Sequence, residues 1–171
     1  MAETPTYALV TQDGPIEVRD YPCLMLAQTW VVGTRSNAIS RGFKILADYI
    51  FARSRSGDKI AMTAPVVQEP SQPDQWRIGF VMPSTRGAAS LPDPQDPRVE
   101  LVQWPARRLA AIRFSGFAWD DKLQAQKTVL LDWLAKQKQT PTGPPIFAFY
   151  DPPWSPPWTK RHEVLIELAG N

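Results

Sequence analysis

The sequence matches itself across its two halves. When Ile16–Gly33 (IEVRDYPCLMLAQTWVVG) is laid on Val99–Gly116 (VELVQWPARRLAAIRFSG), Glu17 falls on Glu100, Pro22 on Pro105, Leu26 on Leu109, Ala27 on Ala110 and Gly33 on Gly116, with Tyr21 on Trp104. A helical stretch follows each glycine, Asn37–Ala52 in one half and Trp119–Lys136 in the other. Ile60–Pro65 (IAMTAP) then aligns with Phe147–Pro152 (FAFYDP), and the closing strands Arg77–Val81 and Val164–Leu168 also correspond. Each half, residues 7–82 and 98–168, reads strand–strand–helix–strand–strand. Self-similarity of this kind constrains the fold before any other feature is weighed. Two such halves are expected to pool their strands into one curved sheet or open barrel with both helices packed on it. The seam between them is then the expected place for an apolar concavity and a small ligand.

Local patterns agree with that reading. Ile16 and Val18 alternate with Glu17 and Arg19, the period of a half-buried strand. Ile39, Phe43, Leu46 and Ile50 recur at helical spacing and predict the buried stripe of the first helix, with Ser36 or Asn37 as its cap. Leu123, Leu130 and Leu134, with Val129 and Trp133, predict the stripe of the second, and Asp120 and Asp121 suit its positive N-terminus. Eighteen prolines in 171 residues, roughly twice the usual ~5%, cluster at Pro70 and Pro73, Pro83 to Pro97, and Pro141 to Pro157. Proline lacks an N–H and fixes φ, so these stretches are loops.

Composition excludes much chemistry. Nineteen Lys and Arg against seventeen Asp and Glu leave a charge of +2 spread along the chain, without the clustered base of a nucleic-acid or acidic-membrane footprint. One cysteine, Cys23, forbids an internal disulfide, and one histidine, His162, excludes His-rich metal sites. No paired catalytic carboxylates, triad, phosphate loop or metal-ligand spacing is visible. No apolar run is long enough to span a membrane, and the N-terminal stretch has no signal-peptide pattern. A cytoplasmic protein, monomeric or weakly homo-oligomeric, is expected.

The residue types that remain suggest binding. His162 is the one imidazole available to a metal, although a residue entering a strand beside a Pro/Trp-rich loop is more simply an exposed one. Cys23 reads as a small buried hydrophobe. Met25, Met62 and Met82 read as core, with Met62 closest to a motif. Tyr21, Tyr49 and Tyr150 suit hydrogen bonding in a core or to a ligand. Arg41, Lys44 and Arg53 offer charge for ligand carboxylates. Trp154 and Trp158 stand in a loop stiffened by proline, which loses little order on closing over a flat molecule. A buried Glu17 or Glu163 would be suited to acid–base work or to holding a cation.

Several of these stretches together resemble the SOUL haem-binding family. They are Glu17-Val18-Arg19-Asp20-Tyr21-Pro22, Lys59-Ile60-Ala61-Met62-Thr63-Ala64-Pro65-Val66, Arg113-Phe114-Ser115-Gly116, Tyr150-Asp151-Pro152-Pro153 and Lys160-Arg161-His162-Glu163-Val164. The resemblance runs in order from about Tyr7 to Leu168. It implies an α+β fold, a distorted, mostly antiparallel eight- to nine-stranded barrel flanked by two helices, duplicated as above. Residues 7–171 then form one domain behind a flexible tail, residues 1–6. It also implies an apolar cleft beside the first helix for haem, porphyrin or a similar flat molecule, held without catalysis by Ile39, Arg41, Phe43, Lys44, Ala47, Met62, Trp154, Trp158 and Glu163. His162 is the axial-ligand candidate. Two alternatives stay open: an effector-type module for hydrophobic or cationic ligands, to which the family is similar, and a hydrolase using a cleft glutamate. The sequence departs from haem-binding relatives in three places. Ser40, Ala47 and Asp48 stand where they carry basic residues and a methionine. The segment Leu24–Ser36 holds no histidine, and His162-Glu163-Val164 replaces Asn-Glu-Val.

Overall fold

Pro22 and Pro105 each separate two strands, as their missing N–H requires. The computed structural model describes residues 2–152 and 154–170. In chain order it runs β1 (Ala8–Asp13), β2 (Ile16–Tyr21), β3 (Leu24–Val32), α1 (Arg35–Ile50), β4 (Val66–Pro70), β5 (Gln75–Val81), β6 (Glu100–Trp104), β7 (Arg107–Ser115), α2 (Asp120–Lys136), β8 (Ile146–Phe149) and β9 (Arg161–Glu167). Nine antiparallel strands and two long helices make this an α+β fold, the class and strand count expected.

The chain forms two compact units, Met1–Pro5 with Cys23–Pro105, and Thr6–Pro22 with Ala106–Asn171. In the first unit the strands lie in the order β4-β5-β3-β6, with α1 against β3 and β5. In the second the order is β1-β2-β7-β9-β8, with α2 against β7 and β9. β2 leads directly into β3, yet it pairs with β7, from Ile16↔Ile112 to Tyr21↔Arg107. β6 leads into β7, yet it pairs with β3, from Leu24↔Trp104 to Gln28↔Glu100. β3 and β7 are both nine residues long and share one order of buried and exposed positions. Each ends on a glycine in left-handed backbone, Gly33 at φ +142° and Gly116 at φ +98°, where a Cβ would be strained.

α1 corrects the expected stripe by one residue. Its buried positions are Ala38, Gly42, Leu46, Ala47, Tyr49 and Ile50. A Cβ on Gly42 would sit 2.5 Å from Ile78 Cγ1, so small residues let the helix approach β5 closely, and Ile39 and Phe43 are turned to its flank. Thr34, not Ser36 or Asn37, caps the helix, its hydroxyl accepting from the Asn37 N–H at 3.3 Å. The core beneath holds Ala27, Val31, Leu46, Ile50, Ile60, Ile78 and Phe80.

The second unit's core is built the same way. Leu123, Leu130 and Leu134 of α2 are fully buried, as their spacing predicts. Val129 is half exposed instead, and Trp133 reaches outward to donate its indole N–H to Asp13 Oδ2 at 2.8 Å. Ile60–Pro65, aligned with a strand, is irregular: Ile60 N–H closes back onto Ile50 O at 2.6 Å, and pairing starts only after Pro65, at Val66. Thr63 instead bridges Glu3, whose carboxylate also accepts from the Ser84 N–H at 2.8 Å.

Candidate functional site

The flank of α1 carries the first group of predicted residues. Ile39 is half-buried and packed on the first unit's core. Phe43, one turn later, is 37% exposed, its ring meeting Phe80 edge-on at 5.3 Å. Arg41 and Lys44 of the same helix are exposed. The Arg41 guanidinium donates to Val32 O, and the Lys44 ammonium lies 4.0 Å from Asp48. Arg53 also bonds Asp48, at 3.3 Å. Ala47 is buried in the helix's core face, and Met62 is half-buried against the same core. α1 therefore spends Ala and Gly on its contact with the sheet and leaves its bulkiest apolar side chain partly open.

The second unit holds the most elaborate polar assembly described in the chain, and the sequence reading missed its centre. Along β2, Glu17, Arg19 and Tyr21 share one face. That face is not solvated: Arg19 is 1% exposed. β7 separates β2 from β9, and Ala111, opposite both Glu17 and Leu165, leaves space for Arg19 to reach across. Its Nη1 and Nη2 donate to the two oxygens of Glu163, itself 1% exposed, at 2.9 and 2.5 Å. Nη1 also donates to Tyr21 Oη at 2.9 Å, and Nε to Glu17 Oε1 at 2.8 Å. The Tyr7 ring lies 4.4 Å from the guanidinium carbon, and its hydroxyl donates to Glu17 at 3.1 Å. Tyr150, just past β8, donates to Glu163 Oε1 at 2.5 Å, and Arg113 Nε approaches Oε2 at 3.4 Å. The readable signal was the run Glu17-x-Arg19-x-Tyr21 on one strand face, two charges leading into an aromatic.

Electrostatics follow from this packing. Burial works against the Arg19 charge, but bonding to Glu163 outweighs it and holds the guanidinium protonated. Burial also opposes ionised Glu17, yet its bond to Arg19 prevails and keeps the carboxyl below its ordinary range. Burial, then the Glu163 carboxylate, raises the Tyr150 phenol. Tyr21 is pushed up to about 12, chiefly by burial. The assembly is two carboxylates, two guanidinia and three neutral phenols, so it carries no net charge. Glu163 is saturated by partners from its own chain.

His162 and Cys23 reverse the simplest readings of them. His162 is buried rather than exposed, its ring set between Phe114 and Phe149 with centroids 5.4 and 5.7 Å away, and its Nε2 lies 2.8 Å from Gly116 O. Cys23 is exposed, in the short link between β2 and β3. Trp154 and Trp158, in the second unit, are 85% and 77% exposed; Pro153 beside them lies outside the described residues. Tyr49 is tied to Pro92 O at 2.7 Å within the first unit's core. The site residues thus fall in two places: Ile39, Arg41, Phe43, Lys44, Ala47 and Met62 in the first unit, and Trp154, Trp158, His162 and Glu163 in the second. Among the described residues no group of three or more His, Cys, Asp or Glu is placed to hold a metal, and no helix is long and apolar enough to cross a membrane.

The SOUL heme-binding protein family model matches residues 2–167, nearly the whole sequence. The chain belongs to the SOUL family. None of the curated proteins matches it. Among solved structures, the EcmrR C-terminal domain is similar at TM-score 0.70 and 12% identity, over 95% of this SOUL chain and 98% of that one. A hydrolase from Listeria innocua is similar at TM-score 0.63 and 12% identity, over 90% and 91%. SAV2435 bound to tetraphenylphosphonium is similar at TM-score 0.56 and 10% identity, over 91% and 94%. At such identities these likenesses establish a shared fold.

Proposed function

We propose that this SOUL protein binds haem, a porphyrin or a similarly flat hydrophobic molecule on the open flank of α1, and holds it without chemical change. The observation that carries this is the division of labour on α1. Ala38 and Gly42 make the sheet contact, while Ile39 and Phe43 are left at its edge, Phe43 partly open. A flat ring would cover the aromatic face, gaining roughly 25 cal/mol per Å² of apolar area removed from water. A peripheral carboxylate would meet the exposed Lys44, the residue after Phe43.

The side chains suit the macrocycle better than its iron. An axial nitrogen needs open approach to the metal, whereas His162 is buried with Nε2 at Gly116 O. Binding without axial ligation follows, indifferent to whether iron is present. The family's description as heme-binding supports the ligand class. The competing cationic-effector and hydrolase readings need a responsive Glu17 or Glu163; Glu17 is held by Arg19 and Tyr7, and Glu163 by Arg19, Tyr150 and Arg113.

Titration with ferric haem and with metal-free protoporphyrin IX, followed by Soret absorbance and Trp fluorescence, tests the reading. Similar affinities that both fall in Phe43→Ala are expected. A strong preference for the iron form that disappears in His162→Ala overturns burial as the holding force, and silence with both ligands overturns the class.

A further inference from the structure

We propose that the buried cluster of the second unit is a cation-binding cage and that Arg19 is its resident cation, closing the site to cations from outside. This stands apart from the α1 flank and does not depend on it. An ordinary ion pair brings one carboxylate to one base. Here a single guanidinium receives two carboxylates, Glu17 and Glu163, a phenol oxygen from Tyr21, and the face of Tyr7 at 4.4 Å. An aromatic face combined with desolvated carboxylates is how proteins hold free organic cations. Tyr150 completes the wall by donating to Glu163.

Charge accounting gives the same answer. Take Arg19 away and two carboxylates face one another with Arg113 alone nearby, and its side chain is 54% exposed and 3.4 Å off. Such a site favours a positive occupant, since otherwise a carboxylate must take up a proton. The arginine enters from β2 itself, so its stem, not a ligand's, fills the approach. The class of molecule that fits the vacated place is a small guanidinium or alkylammonium ion. Arg19 is thereby the residue that determines specificity, turning a would-be cation receptor into a neutral core.

Chemical rescue tests this. Thermal unfolding of wild type, Arg19→Ala and Arg19→Ala/Glu163→Gln is followed with and without low-millimolar ethylguanidinium. The expected result is a midpoint lowered in Arg19→Ala and raised by several degrees on adding the cation, with wild type and the double variant unmoved. No rise in Arg19→Ala, or an equal rise in all three proteins, overturns the proposal. If Arg19→Ala does not fold unaided, dilution from urea with and without ethylguanidinium replaces the melt. Refolding only with the cation supports the cage. Failure in both conditions, while Arg19→Met/Glu163→Gln refolds, overturns it.

Discussion

Arg19 and Glu163 are 144 positions apart in the chain and share two hydrogen bonds, of 2.9 and 2.5 Å, each residue 1% exposed. The pair staples β2 to β9 across the intervening β7. Breaking such a pair on one side leaves a buried charge uncompensated, at a cost of about 3–5 kcal/mol, whereas replacing both partners by apolar residues is often nearly neutral. Glu163→Gln is expected to fall in that range by urea denaturation. Arg19→Met/Glu163→Gln should recover a large part of the loss. A loss in the double variant as large as the summed losses of Glu163→Gln and Arg19→Met would show that the charges act independently.

Acid should loosen the second unit through Glu17 and Asp151. Glu17 is held low by Arg19 against the opposing effect of burial, and Asp151 is held low by its bonds to Arg161. Each contributes stability that is present above the unfolded carboxylate value, about 4, and is lost as pH falls through the lower folded value. The urea midpoint should hold steady from pH 7 to pH 5 and fall by pH 3. An unchanged midpoint at pH 3 contradicts this.

Alkali should reveal the phenols. Tyr7, Tyr21, Tyr49 and Tyr150 are all raised, burial being the first cause in each. A phenol held neutral by the fold ionises more readily in the unfolded chain, which gains from alkali first, so stability drops as pH climbs from about 10 through 12, the value for Tyr21. Absorbance at 295 nm should stay low at pH 10 and rise sharply only with unfolding. Smooth titration centred on pH 10 in the folded protein would contradict this.

Gly42 should tolerate no side chain. Alanine would gain about 1 kcal/mol of helix propensity, but its Cβ would meet Ile78 Cγ1 at 2.5 Å and Ile78 Cβ at 2.8 Å. Overpacking of this kind costs about 1–3 kcal/mol, so Gly42→Ala should lower the thermal midpoint. A higher midpoint would mean that α1 can retreat from β5.

The ligand's carboxylates should be read by Lys44, whose ammonium is held only loosely by Asp48 at 4.0 Å. Lys44→Ala is expected to weaken protoporphyrin IX a few-fold, the scale of an exposed ion pair, and to leave its dimethyl ester unaffected. Equal weakening of both would place Lys44 outside the site.

Much of the fold was legible because it rests on patterns that a chain carries locally. The breaks at Pro22 and Pro105, the leucine stripe of α2 and the glycines after β3 and β7 each follow from one backbone or side-chain property. What escaped depended on distant partners. Arg19 reads as a solvated strand residue until Glu163 meets it across β7. His162 reads as a rim residue until Phe114 and Phe149 close over it. Ile39 and Phe43 have the right period for a core, and only the close approach of Gly42 to Ile78 displaces them.

The exchange of β2 and β6 has a consequence for synthesis. β2 leaves the ribosome early and must wait for β7, with Ile16 finding its partner only at Ile112. Until then its ladder edge is open, and loop-closure entropy delays the pairing that would cover it. A nascent chain halted in the 83–97 stretch would hold β3, α1, β4 and β5 without β6, and β2 without a neighbour beyond β1. Severing that stretch would therefore yield one fragment that lacks β6 and another that lacks β1 and β2, competent only when mixed.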